Sequence, residues 1–82
     1  MADTITQFEW RHVEQHHYEC TWNGYHLTAH EHGWKVEHNG LERCGQPRIQ
    51  RGARVSASTR SEIARSHAEG YAFRHFYERQ QT

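Results

Sequence analysis

The chain has 82 residues and a formal net charge of zero at pH 7, so it is expected to form one small domain, too short for two independent cores. Ten aromatic side chains compensate for a low content of aliphatic ones, which favours a folded protein over a disordered chain. No apolar run is long enough to span a membrane, and residues 1–10 lack the basic and apolar regions of a signal peptide, so we expect a cytoplasmic protein with no membrane association.

Charge is distributed unevenly along the chain. Residues 1–42 carry seven acidic side chains against two basic ones, whereas residues 43–82 carry three against eight. The two halves therefore differ in sign, which indicates a basic interaction surface or an attraction between the halves.

The first half has the pattern of an antiparallel β-meander. A first strand is predicted over residues 8–13 (FEWRHV), followed by the hairpin YECTW-NG-YHLTA, because Asn-Gly tolerates the positive φ angles of a type I′ turn. Side chains alternate across a strand. The pattern therefore predicts an apolar face of Tyr18, Cys20, Trp22, Tyr25, Leu27 and Ala29 and a polar face of Glu19, Thr21, His26, Thr28 and His30.

Two further turns extend this meander. His-Gly at positions 32 and 33 leads into a strand with Trp34 and Val36 on the apolar face and Lys35 and Glu37 on the polar one. Asn-Gly at positions 39 and 40 leads into LERC, whose register the sequence leaves open. A meander of four or five strands is thus predicted over about residues 8–44, and its apolar face requires a cover.

A connection rich in arginine follows at residues 45–58. Arg48, Arg51 and Arg54 are spaced at intervals of three residues, and guanidinium groups pair with carboxylates or with phosphates. The alternative is a solvated connection whose charge balances the acidic half. We predict that these three arginines contact a partner.

A C-terminal helix is predicted over residues 59–80, because Thr59 and Glu62 have the spacing of a capping box. Its apolar stripe consists of Ile63, Ala64, His67, Ala68 and Tyr71. A second aromatic group falls on a different arc and consists of Phe73, Phe76 and Tyr77. Either the helix bends at Gly70 and wraps these rings around the sheet, or the rings contact a protein partner or a second copy of the chain.

The complete pattern is that of an α+β protein, an antiparallel meander of four or five strands covered on one face by a C-terminal α-helix. The segments NGY, GWKVEHNG and SASTRSEIARSHAEG, in that order, resemble small proteins of bacteria and phages with a β-meander and one helix. The resemblance covers about residues 10–72, and this group of folds includes anti-CRISPR inhibitors. It implies a phage or mobile-element protein that blocks a defence complex, such as a CRISPR effector, in the cytoplasm of a bacterial host cell.

The sequence contains no glycine-rich phosphate loop, nucleophile elbow or distinctive pair of carboxylates. We therefore predict a non-enzymatic protein-binding module that uses no cofactor.

A homodimer would also cover the second aromatic group and enlarge a thin core.

The histidines of the polar face raise the question of a metal site. Residues four apart on a strand are separated by about 13 Å, so His26 and His30 do not easily share one ion, and no metal is predicted. We predict instead that His26, His30, Lys35 and Glu37 form a contact surface for a protein. Two alternatives remain open, a small nucleic-acid-binding or regulatory protein that uses the arginine-rich connection and a histidine-based metal or pH-responsive protein.

Overall fold

The computed structural model describes residues 8–80 and confirms the α+β fold with a meander and a C-terminal helix. The strands are β1 (Arg11–Glu14), β2 (His17–Trp22), β3 (Tyr25–His30), β4 (Gly33–His38) and β5 (Leu41–Gly45), and the helix is α1 (Ala57–Gln80). All neighbouring strands are antiparallel, in the order β1-β2-β3-β4-β5. The first strand begins at Arg11, three residues later than predicted. Residues 1–7, 81 and 82 of the predicted single domain lie outside the described residues.

Two Asn-Gly turns set the register of the sheet. Asn23 and Gly24 have φ angles of 47° and 84°, and Asn39 and Gly40 have 44° and 86°, as a type I′ turn requires. The turn predicted at His-Gly lies one residue earlier, at Glu31 and His32, and Gly33 is the first residue of β4. The prediction of that turn was wrong because glycine there serves close packing: a Cβ on Gly33 would stand 3.0 Å from the Gly45 carbonyl oxygen.

The core lies between one face of the sheet and the helix. The sheet contributes Cys20, Trp22, Tyr25, Leu27, Ala29 and Val36, and the helix contributes Ala64, Ala68 and Ala72, all of them buried. The alternation predicted for β2 and β3 is thereby confirmed. The three alanines are spaced four residues apart on one helical stripe, and their small side chains let the helix lie close to the sheet.

The helix begins at Ala57, two residues before the predicted start, because Ser56 caps it. The Thr59 backbone N–H donates to the Ser56 hydroxyl at 3.2 Å, and the Arg60 N–H donates to the Ser56 carbonyl oxygen at 2.9 Å. The capping box predicted for Thr59 and Glu62 is therefore wrong, since both residues lie inside the helix.

The helix is continuous through Gly70, and it divides the second aromatic group between core and surface. Its 24 residues span about 36 Å, whereas a six-residue strand spans about 20 Å, so the helix is longer than the strands beneath it. Phe76 packs against the core, with its ring centroid 5.1 Å from that of Trp22. Phe73 and Tyr77 are 40% and 37% exposed.

The helix packs over β3 and β4 and leaves the adjacent strand β5 largely outside its cover. Contacts with Trp10 and Tyr18 fix its lateral position on the other side. The Trp10 indole N–H donates to the Glu69 carboxylate, and the Arg65 guanidinium lies 4.0 Å from the Tyr18 ring centroid. The consequence is an open groove between β5 and the helix.

Candidate functional site

The groove between β5 and the helix, which we name the arginine groove, encloses about 540 Å³. Its lining residues come from two strands, the connection and the helix: Trp34, Arg43, Cys44, Gly45, Gln46, Arg48, His67, Tyr71 and Arg74. Three of these are arginines and none is acidic. The groove therefore combines positive charge with aromatic surface.

The wall of the arginine groove is one stripe of the helix. His67, Tyr71 and Arg74 are spaced at i, i+4 and i+7, so their side chains project from the same side, toward β5. The Tyr71 ring lies 6.0 Å from the Trp34 ring, centroid to centroid, at an interplanar angle of 39°. These two rings form the apolar part of the groove.

The floor depends on a glycine in β5. Gly45 is paired with Trp34 across the β4–β5 ladder, and a Cβ built at position 45 would stand 2.8 Å from the indole ring. Glycine thus allows the Trp34 ring to lie against the β5 backbone. A larger residue would move this ring toward the groove or out of it.

The positive charge of the groove is only weakly compensated. Arg43 and Arg48 are exposed, and the structure gives neither guanidinium a carboxylate partner among the described residues. The Arg74 Nε donates to Glu78 at 3.2 Å, but both side chains are more than half exposed, so water screens this pair. The groove therefore favours an anionic ligand.

His67 anchors the connection to the helix. The Arg48 backbone N–H donates to the His67 Nε2 at 3.1 Å. This contact requires an unprotonated Nε2, so His67 carries its proton on Nδ1. Arg48 itself lines the groove.

Of the three arginines predicted to contact a partner, Arg48 lines the arginine groove. Arg51 and Arg54 are exposed on the connection beyond it. Sequence reasoning missed Arg43, because the register of the last strand was open. It also missed Arg74 as part of this site, although its i, i+7 spacing from His67 was the available signal.

The predicted histidine surface lies on the open face of the sheet, away from the helix. Lys35 Nζ lies 3.6 Å from Glu37 and 3.5 Å from Glu42, and these carboxylates raise the pKa of Lys35. His26 is paired with Glu37 across β3 and β4. On this face the charge of Lys35 is therefore balanced by the two neighbouring carboxylates.

His30 lies at the end of β3, where it meets two other histidines. The His32 backbone N–H donates to His30 Nδ1 at 3.1 Å, and the His17 ring centroid is 6.0 Å away. Burial lowers the pKa of His30, and His17 and His32 lower it further. Within residues 8–80, no group of three or more His, Cys, Asp or Glu side chains is arranged to hold a metal ion.

The two cysteines differ in environment and are both free. Cys20 is buried in the core, and this burial raises the pKa of its thiol. Cys44 is exposed on β5.

A second polar cluster, which the sequence did not reveal, lies where the helix ends. The Tyr25 hydroxyl and His75 Nδ1 are 2.6 Å apart, and the Tyr25 ring stacks on His38 with centroids 4.0 Å apart. Arg79 contacts both the Tyr25 hydroxyl and His38 Nε2. Burial raises the pKa of Tyr25, and the Arg79 contact partly offsets this. The cluster ties the last turns of the helix to two strands.

The geometry fixes the tautomer of His38. Its Nδ1 lies 3.1 Å from the Gly24 carbonyl oxygen, which only accepts, so Nδ1 carries the proton and Nε2 accepts from Arg79. A shallow cavity of about 320 Å³ adjoins the cluster. Because Arg79 contacts other members of the cluster, we interpret the cluster as a structural contact that holds the end of the helix on the sheet.

Comparison with known proteins finds no matching family model, no similar curated protein and no similar solved structure. None of the helical segments within residues 8–80 has the length and hydropathy of a membrane span.

Proposed function

We propose that the protein is a non-enzymatic protein-binding module that holds an acidic segment of its partner in the arginine groove. The observation that carries the proposal is a groove lined by three arginines, two aromatic rings and no acidic side chain. Arginine and aromatic residues are enriched at the energetic centres of protein interfaces. Each guanidinium group can donate two parallel hydrogen bonds to a carboxylate of the partner.

Charge balance supports a protein partner over nucleic acid. The whole chain has a formal net charge of zero, and ten acidic side chains offset its ten basic ones. A phosphate backbone carries charge along its whole length and is bound by extended basic surfaces. The arginine groove is short, so it suits a limited acidic segment.

Binding of single-stranded nucleic acid is the second candidate function. Tyr71 and Trp34 could stack on bases while Arg43 and Arg48 contact phosphates. Such binding would fall steeply with added salt, because each neutralised phosphate releases counterions.

The identity of the partner remains a prediction from the resemblance. A phage or mobile-element inhibitor would use the arginine groove to occupy an acidic surface of a host defence complex, such as a CRISPR effector. The predicted contacts on the histidine surface and at Phe73 and Tyr77 would then extend the interface beyond the groove.

The test uses two labelled probes of equal length and net charge, a Glu-rich peptide and a single-stranded oligonucleotide, measured by fluorescence anisotropy. Arg43→Gln should weaken binding of the peptide about tenfold. Arg11→Gln is the matched control, because Arg11 is an exposed arginine on the opposite edge strand. Equal loss in both variants would contradict a role of the groove. Preference for the oligonucleotide would favour the second candidate.

A further inference from the structure

The two edge strands of the sheet differ in how open they are. At β1 the pairing shifts between His12 and Glu14, which is a bulge of the kind that prevents further strand pairing. At β5 the pairing with β4 is continuous from Leu41 to Gly45. The outer edge of β5 is therefore regular, and it borders the arginine groove.

The turn that precedes β5 determines which of its backbone groups face outward. Asn39 and Gly40 form a two-residue turn, so His38 and Leu41 are a hydrogen-bonded pair. Hydrogen-bonded pairs alternate with non-bonded ones along an antiparallel ladder. The N–H and C=O groups of Glu42 and Cys44 therefore point away from β4. Among the described residues, no strand pairs with them.

We propose that the acidic segment binds as an extended sixth strand along the outer edge of β5. The inference rests on the proposed function and adds the conformation of the ligand. Side chains of the added strand that point toward the helix would lie beside Arg43, with Arg48 and Arg74 in reach across the groove. Backbone hydrogen bonds would come from Glu42 and Cys44.

Charge complementarity defines the sequence of this ligand. On the helix side the strand meets Arg43, whereas on the open face it meets Glu42, whose carboxylate lies near Lys35. Acidic residues are therefore favoured on one face of the added strand and disfavoured on the other. The ligand should carry an acidic residue at every second position.

A second copy of the chain is a poorer occupant of this edge. An antiparallel pairing of two β5 strands over their full length would place Arg43 opposite Arg43 of the other copy. Like charges directly opposite each other on neighbouring strands are destabilising. The acidic strand of another protein meets no such repulsion.

The experiment compares N-methylated peptides. The probe is a fluorescein-labelled decapeptide of alternating Glu and Thr, and methyl groups are placed on the backbone nitrogens of either the Glu set or the Thr set. In an added strand only one set of N–H groups faces β5. Methylation of that set should reduce affinity about tenfold or more, and methylation of the other should change it by less than about threefold. The sensitive set is Thr for an antiparallel strand and Glu for a parallel one.

A second comparison tests the edge from the protein side. Cys44→Pro removes an outward-facing donor without removing a β4–β5 hydrogen bond, and Cys44→Ala is the matched control. Only the proline variant should lose peptide affinity, about tenfold. Thermal melting shows whether the variant is folded, and the methylated peptides decide the proposal if it is not.

The outcomes separate this inference from the proposed function. Equal affinity for both methylated peptides, or equal loss with both, would overturn strand addition. If Arg43→Gln still weakened binding in that case, the arginine groove would remain the binding site. Failure of the unmethylated peptide to bind at all would contradict both proposals. A peptide with the same composition but its Glu residues clustered should bind less well than the alternating one.

Discussion

Replacing Phe76 or Phe73 by alanine tests the division of the aromatic group between core and surface. Both residues lie on the same helix and the substitution is the same, so the two variants differ mainly in what the ring contacts. Phe76 packs against the core, with ring centroids 5.1 Å from Trp22 and 6.5 Å from Tyr25. Phe73 is 40% exposed, and its closest ring contact is Tyr77, at 4.5 Å.

The expected magnitudes follow from this difference in packing. Truncation of a fully buried phenylalanine costs about 3–5 kcal/mol in free energy of unfolding, part of which is due to the cavity left behind. Phe76 is only half-buried, so we expect about 3 kcal/mol for Phe76→Ala. Solvent would fill the space left by Phe73, and we expect about 1 kcal/mol for Phe73→Ala.

Thermal melting followed by circular dichroism measures both values. For a domain of this size, 1 kcal/mol shifts the Tm by about 4–8 °C, so Phe76→Ala should lower it by about 15 °C and Phe73→Ala by about 5 °C. A loss for Phe73→Ala as large as that for Phe76→Ala would refute the assignment. If Phe73 also contacts a partner or a second copy, its variant should lose binding or dimerisation while remaining folded.

Three further predictions concern the polar side chains Ser61, His30 and Tyr25. Ser61→Ala should raise the free energy of unfolding by about 1 kcal/mol in urea titrations, because the buried Ser61 hydroxyl has no hydrogen-bond partner among the described residues. Ser66→Ala, at an exposed position of the same helix, is the control for helix propensity. Because burial and its neighbours lower the pKa of folded His30 below its ordinary 6.5, the unfolded chain binds the proton first, and stability should fall as pH drops below about 6.5. His30→Asn should reduce this dependence of stability on pH, measured by thermal melting between about pH 7 and pH 5. An unchanged dependence would show that His30 does not cause the loss of stability. Because the pKa of Tyr25 in the folded protein is raised above 10.0, the unfolded chain releases the Tyr25 proton first, and wild-type stability should fall above about pH 10. Tyr25→Phe should abolish this part of the loss. The same substitution should cost about 1 kcal/mol in free energy of unfolding near neutral pH, because it removes the contact with His75.

Local chemistry explains the parts of the fold that could be predicted. Asn23-Gly24 and Asn39-Gly40 are among the few dipeptides that fit a two-residue type I′ turn, and the first of them fixed the pairing of β2 with β3. Once that register is known, alternation assigns each side chain to a face. The helix was predicted from its apolar periodicity and from a capping box at Thr59 and Glu62, and this competing signal is the reason that the cap at Ser56 was missed.

The candidate site was only partly predictable, for a different physical reason. The sequence pointed to Arg48 through its basic connection, but Arg43 and Arg74 belong to the groove only because the helix packs over β3 and β4 and leaves β5 uncovered. The lateral position of a helix on a sheet depends on packing between residues far apart in the chain, such as Trp10 with Glu69. No local sequence pattern specifies this lateral position.

Turn chemistry and side-chain periodicity act over a few neighbouring residues, so the amino-acid sequence was sufficient to predict the meander, the two Asn-Gly turns and a C-terminal helix. Packing between elements distant in the chain places Phe76 against the core, leaves Phe73 exposed, and brings Tyr25 into contact with His75 and Arg79. Burial depends on which surfaces meet when the helix packs against the sheet. Periodicity places a side chain on a face of its own element and does not specify how far the neighbouring element extends over it.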